Sequence, residues 1–326
     1  MTYGPLQPVG RPGPRGSVAD ALAPRVALAA LRQPRPLSLA ARLACGVAVV
    51  VLTALFLWVT ISSALVALAD PAAGGGDGGS DALQVASYLL LLAGSGGALL
   101  AAAGVAGRRG AGFPQGSGRA FGRLLVGSAA TVYVPLVVCT TAYVLIAAFG
   151  AAPQANSPRQ STVVGLTASL SSGIGEEVFV VVVPVVLLSP LVGLAARRSP
   201  VAGRAATVAL VVLMVVARLS YHLYYGQVVV VLLPWAVLTV LVYLRTRAVL
   251  PLMVCHVGYD AVLQLPGVLG VAATVLLALA GAVGGAVLVA GRAGRPNIPN
   301  CSVQPDRAGV MVVAPGSTPP NRRSDA

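Results

Sequence analysis

Long runs of Val, Leu and Ala, separated by short stretches of Gly, Pro and Arg, set the pattern of this chain. The apolar positions are continuous and do not alternate with polar ones, which excludes an outer-membrane barrel. Several runs reach the roughly 18–20 residues that carry a helix across a bilayer. Eight spans are predicted, at about 43–69, 83–107, 124–150, 163–194, 203–225, 227–244, 248–265 and 267–290. Backbone groups facing lipid must be satisfied within their own segment, so each run reads as a helix. The expected fold is all-α, a polytopic membrane protein of about eight transmembrane helices.

The polar stretches complete the layout. Residues 1–42, rich in Pro, Gly, Ala and Arg, are expected to form a basic disordered cytoplasmic arm. The GGGDGGS sequence within 70–82 reads as a flexible linker. Residues 43–150 would hold three N-terminal helices, 160–265 a functional core and 266–290 the last helix, with 291–326 a disordered cytoplasmic tail.

Composition agrees with the pattern: 57% of residues are hydrophobic and 10% charged, with a mean hydropathy of +0.86. The formal charge of +13 comes entirely from arginines, and these cluster on alternate sides of successive spans. Six arginines precede the first span; Arg108, Arg109, Arg119 and Arg123 follow the second; Arg197, Arg198 and Arg204 follow the fourth; Arg245 and Arg247 follow the sixth. The positive-inside rule then places both termini in the cytoplasm. The charge is topological and attracts anionic lipid, so no nucleic-acid partner is implied. An arginine-only, alanine-rich composition points to a bacterial plasma membrane. Cys45, Cys139, Cys255 and Cys301 form no CxxC pair, which argues against a disulfide framework or a cysteine zinc site.

Ionisable side chains inside the spans are few: Glu176, Glu177, Arg218, His222, His256 and Asp260. They include both glutamates and both histidines of the chain. A charge at the bilayer centre costs about 2.5–3.5 kcal/mol on insertion scales, so such residues face a protein interior and mark function. Arg218 and His222 are four apart and would share one helix face, as would His256 and Asp260. Glu176 and Glu177 cannot both point one way; one should enter a shared cavity while the other supports it. A glutamate as proton acceptor, histidines that orient or ligate, and Asp260 or Arg218 holding developing charge suit the activation of water. Tyr221, Tyr224 and Tyr225 read as interfacial anchors. Gly173 and Gly175 read as sites of close helix packing, and Pro184 as a kink.

Three of these segments resemble the three motifs of the CPBP family (CAAX protease and bacteriocin-processing, or Abi), whose members are intramembrane proteases. Glu176-Glu177 matches the first motif, His222 the second, and His256-Val-Gly-Tyr-Asp260 the third, in the family's order. The family arginine of the first motif falls here at Val181, and the phenylalanine of the second at Arg218. Arg218 is expected to replace the missing arginine from a different helix. The resemblance covers about residues 160–265 and implies hydrolysis of a peptide bond in or near the membrane. Glu176, Glu177, His222, His256 and Asp260 would form the catalytic set, with a membrane-embedded or membrane-proximal peptide or protein as substrate. It leaves open a divalent metal such as zinc, held by Glu177, His222 and His256, or a metal-free glutamate mechanism. Two other classes fit the same polar set: a proton- or cation-coupled transporter, and a non-catalytic membrane scaffold of the same fold.

Overall fold

The computed structural model describes residues 37–69, 80–113, 118–149 and 161–293, and the helices of these segments follow the apolar runs closely. They are α1 (Leu39–Ala69), α2 (Asp81–Gly110), α3 (Gly118–Ala148), α4 (Thr162–Glu176), α5 (Val183–Arg198), α6 (Pro200–Ser220), α7 (Leu233–Thr246), α8 (Val249–Leu263) and α9 (Gly267–Ala293). No strand is present among the described residues. The protein is all-α and polytopic. Among the described residues seven segments are long and apolar enough to cross a membrane, with α4 and α5 forming one continuous span of 37 residues. The seventh expected span, α8, falls short. Its 15 residues rise only about 22 Å against a hydrocarbon core of about 30 Å.

Most of the predicted disordered arm (1–36), most of the glycine-rich linker (70–79) and the tail beyond residue 293 lie outside the described residues. The chain to Leu288 is one compact unit, and the second unit, Val289–Ala326, contributes only the end of α9 to the described residues. Two boundaries shift: residues 291–293, expected in the tail, and 39–42, expected in the disordered arm, are helical.

Two departures from regular α-helix position the polar residues. Between α4 and α5 the helix widens into a π-helical turn, Glu177–Val182, and Val183 N–H donates to Val178 O, five residues back. Pro184 follows one residue later; it has no N–H, and its ring crowds the carbonyl one turn earlier, so α hydrogen bonding is weakest here. The second departure corrects the fifth span, expected to run to 225. Helix α6 ends at Ser220 with Tyr221 as its cap, and a 3-10 segment, Leu223–Leu232, leads into α7. His222 therefore sits in the turn after the helix that carries Arg218.

The middle of the bundle is the α4–α5 span. Helix α4 packs between α2 and α8, α8 between α4 and α3, and α7 between α3 and α6. Every residue from Val178 to Val183 is buried. Close approach depends on glycine, as the sequence suggests. A Cβ on Gly173 would lie 2.8 Å from the backbone nitrogen of Val257, and one on Gly175 would lie 3.0 Å from Phe56 Cε2. Outward faces are apolar: Trp58, Leu90, Leu100, Val201 and Val268 are exposed, as a bilayer-facing surface requires.

Candidate active site

The six ionisable residues singled out in the spans come together around one cavity of about 400 Å³. Helix α4 and the π-turn bring Glu176 and Glu177, α6 brings Arg218, the following turn brings His222, and α8 brings His256 and Asp260. Glu176, His222, His256 and Asp260 line the cavity, whereas Glu177 and Arg218 stand behind it, both fully buried.

The two glutamates divide the work as the 100° step between helical neighbours requires. Glu176 turns into the cavity. Its Oε2 accepts a 2.7 Å hydrogen bond from the Tyr221 hydroxyl, and it lies 3.6 Å from His256 Nε2 and 3.9 Å from His222 Nε2. Glu177 turns away. Its Oε1 accepts from Arg218 Nη2 at 2.6 Å and lies 3.0 Å from His256 Nδ1. An ionised carboxylate only accepts hydrogen bonds, so beside Glu177 the imidazole presents a proton on Nδ1 and turns Nε2 toward the cavity. Asp260 Oδ2 lies 3.7 Å from that Nε2 and accepts a 2.8 Å hydrogen bond from Ser172.

Arg218 carries the charge balance. The guanidinium lies 4.6 Å from the centre of the Trp235 ring, so a cation–π contact covers the face that Glu177 leaves open. The same indole meets His256 edge-on at 5.2 Å and His222 at 6.0 Å. Trp235 is thus the wall against which the cation and both imidazoles are set.

The side chains named as metal ligands do not converge on one point. Glu177 Oε1 is occupied by Arg218 and by His256 Nδ1, so a cation there would meet a guanidinium at hydrogen-bonding distance. Among the described residues no group of three or more His, Cys, Asp and Glu side chains is arranged to hold a metal ion. The expected set of Glu177, His222 and His256 does not fit zinc.

One family model matches the segment that holds this arrangement. Residues 158–262 match the Rce1-like family, described as type II CAAX prenyl endopeptidase Rce1-like. The Rce1-like segment begins just before α4 and ends in α8, so it contains every one of the six polar residues. It is consistent with the CPBP resemblance of the three motifs and relates the segment to intramembrane peptidases. With its seven apolar spans, the chain is an integral membrane protein. Neither the curated proteins nor the solved structures include a match to the chain.

Three residues at the Rce1-like site escape sequence reasoning. Tyr221, read as an interfacial anchor, is buried and bonded to Glu176; the available signal was its place three residues after Arg218. Ser172 stands four residues before Glu176, on the same helix face, and that spacing could have found it. Trp235 carries no signal in the sequence, since only the crossing of α7 with α6 and α8 places its ring. The side chains of Tyr224 and Tyr225 lie outside the described structure.

Proposed function

We propose that this chain is an intramembrane endopeptidase of the CPBP type, hydrolysing a peptide bond in or near the membrane with glutamate- and histidine-activated water. The observation that carries the reading is Glu176. It is a buried carboxylate opening on a cavity, within reach of two imidazoles, in a segment that matches an endopeptidase family.

In this reading a water in the cavity gives a proton to Glu176 Oε2 as its oxygen attacks the scissile carbonyl carbon. Tyr221 fixes the carboxylate by its hydrogen bond, so the base does not turn away when charge develops. His222 Nε2 faces the water and the forming tetrahedral oxygen. His256, oriented through Nδ1 by Glu177, acts with Asp260 to position the water and stabilise the oxyanion. When the tetrahedral intermediate collapses, the proton held on Glu176 passes to the leaving amine, giving one carboxylic acid and one amine. Arg218 pairs with Glu177 and holds it in place, which is the role expected of the arginine that Val181 does not provide. The proposed route has no metal step.

The substrate class is a membrane-embedded or membrane-proximal peptide or protein. The setting proposed is a bacterial plasma membrane, on the arginine-only, alanine-rich composition, with both termini cytoplasmic, as the arginine clusters favour. The test is cleavage of a membrane-peptide library by the purified, reconstituted protein. Glu176→Gln and His222→Ala are expected to lower the rate by about 10²–10⁴-fold, the usual contribution of acid–base residues, with unchanged melting. Added chelator should leave the wild-type rate unchanged. Equal cleavage by wild type and both variants refutes the mechanism, and loss on chelation refutes its metal-free form.

A further inference from the structure

The opposite end of α7 carries a second polar cluster that this mechanism does not use. Arg247 caps α7 in the left-handed conformation, φ 54° and ψ 40°. It is the single described non-glycine residue at positive φ. Helix ends of this type favour glycine, because a side chain there crowds the backbone at a cost of about 1–2 kcal/mol. The conformation folds Arg247 back over its own helix, with the guanidinium 5.6 Å from the centre of the Tyr243 ring. All three guanidinium nitrogens are buried with no hydrogen-bond partner. The Tyr243 hydroxyl is also buried, on a side chain that is 0% exposed, and it interacts with the Arg247 guanidinium.

The surroundings are basic. Val249 N–H donates to Gly112 O at 2.8 Å, which joins the start of α8, just past the end of α7, to the turn after α2. Gly112, at φ 88°, makes this approach possible, since a Cβ there would lie 2.9 Å from Tyr243 Cε2. Arg108 and Arg109 are exposed on the first segment and Arg245 on the second. Among the described residues no carboxylate is ion-paired with Arg108, Arg109 or Arg247. The apolar stretch of this span ends at Thr246, so Arg247 falls one residue beyond it.

We propose that Arg247 and Tyr243 form a binding site for a phosphate-bearing anion, drawn from an anionic phospholipid headgroup or from free phosphate. A guanidinium is a planar fork of donors with no acceptor, and phosphate oxygens match it bidentately. The tyrosine hydroxyl adds one donor. Buried donors left unpaired cost about 1–3 kcal/mol each, and a phosphate satisfies them while the neighbouring arginines raise its local concentration. Basic pockets between transmembrane helices hold anionic headgroups by this combination.

Native mass spectrometry of the delipidated full-length protein in neutral detergent tests the site, with phosphatidylglycerol, phosphatidylcholine and inorganic phosphate as separate probes. Wild type should retain one phosphatidylglycerol in preference to phosphatidylcholine. Arg247→Gln should bind it about tenfold more weakly, and Tyr243→Phe less tightly than wild type, as expected for lost hydrogen bonds to a charged acceptor. Retention of phosphatidylglycerol with no effect of inorganic phosphate identifies the lipid as the source; binding of inorganic phosphate alone identifies the free ion. Equal binding by wild type and Arg247→Gln, or binding of neither anion by wild type, overturns the proposal. Should Arg247→Gln fail to fold, Tyr243→Phe and Arg247→Lys decide, and unchanged affinity in both overturns it equally.

Discussion

Two adjacent glutamates do different jobs because one residue turns a helix by 100°. Glu176 opens on the cavity and Glu177 is sealed against Arg218 with no exposure on either side chain. A buried ion pair adds little net stability, but removing one partner strands the other charge. Arg218→Leu is therefore expected to destabilise the protein by about 3–5 kcal/mol. The double variant Arg218→Leu with Glu177→Leu should recover much of that loss without recovering cleavage. Denaturation in detergent checks the first statement and the peptide assay the second; full activity in Arg218→Leu would dismiss its supporting role. Tyr221 gives a second prediction at this scale. Tyr221→Phe removes one hydrogen bond to a charged acceptor, worth about 1.5–3 kcal/mol, so kcat should fall about tenfold or more with KM little changed. A rate within twofold of wild type would return Tyr221 to an anchoring role.

At the scale of the element, the π-turn and the glycines of α4 set where the carboxylates point. Glu177–Val182 takes the extra residue just before Pro184, and Gly173 lets α4 touch the backbone of α8 at Val257. That contact holds Glu176 near His256. Gly173→Leu would drive a side chain into the Val257 backbone, and forced overpacking of this kind costs about 1–3 kcal/mol. The expected result is a protein that inserts and stays helical but melts lower and cleaves poorly. Cleavage assays and thermal melts in the same detergent compare the two, and a variant with wild-type melting and rate would show that the close approach is dispensable.

For the whole molecule, the cavity belongs to more of the chain than the motifs cover. Phe56 and Thr60 from α1, Tyr88 and Leu91 from α2, and Leu136 and Thr140 from α3 line it together with the motif residues. The sequence assigns little to these three helices, yet they supply part of the cavity wall. In the proposed function that wall meets the substrate. Leu91→Trp should narrow the cavity and raise KM for peptides with bulky residues at the cleavage site, while small-residue peptides keep wild-type kinetics. Comparison across a peptide series reads this directly, and identical KM values throughout would place the substrate elsewhere.

The sequence by itself determined the membrane class, the helical runs to within a few residues and the six ionisable side chains. Apolar length and the cost of charge in a bilayer leave no other arrangement for them. It also required that the two glutamates diverge, because helical geometry is local. Only the tertiary structure decided which one faces the cavity, since that depends on the rotation of α4 against α8 and on the π-turn. The same holds for Tyr221, read as an anchor until the turn after Ser220 brought its hydroxyl to Glu176. It holds too for Trp235 and the walls from α1, α2 and α3. Their roles arise from contacts between residues far apart in the chain, and no periodicity within one segment records such contacts.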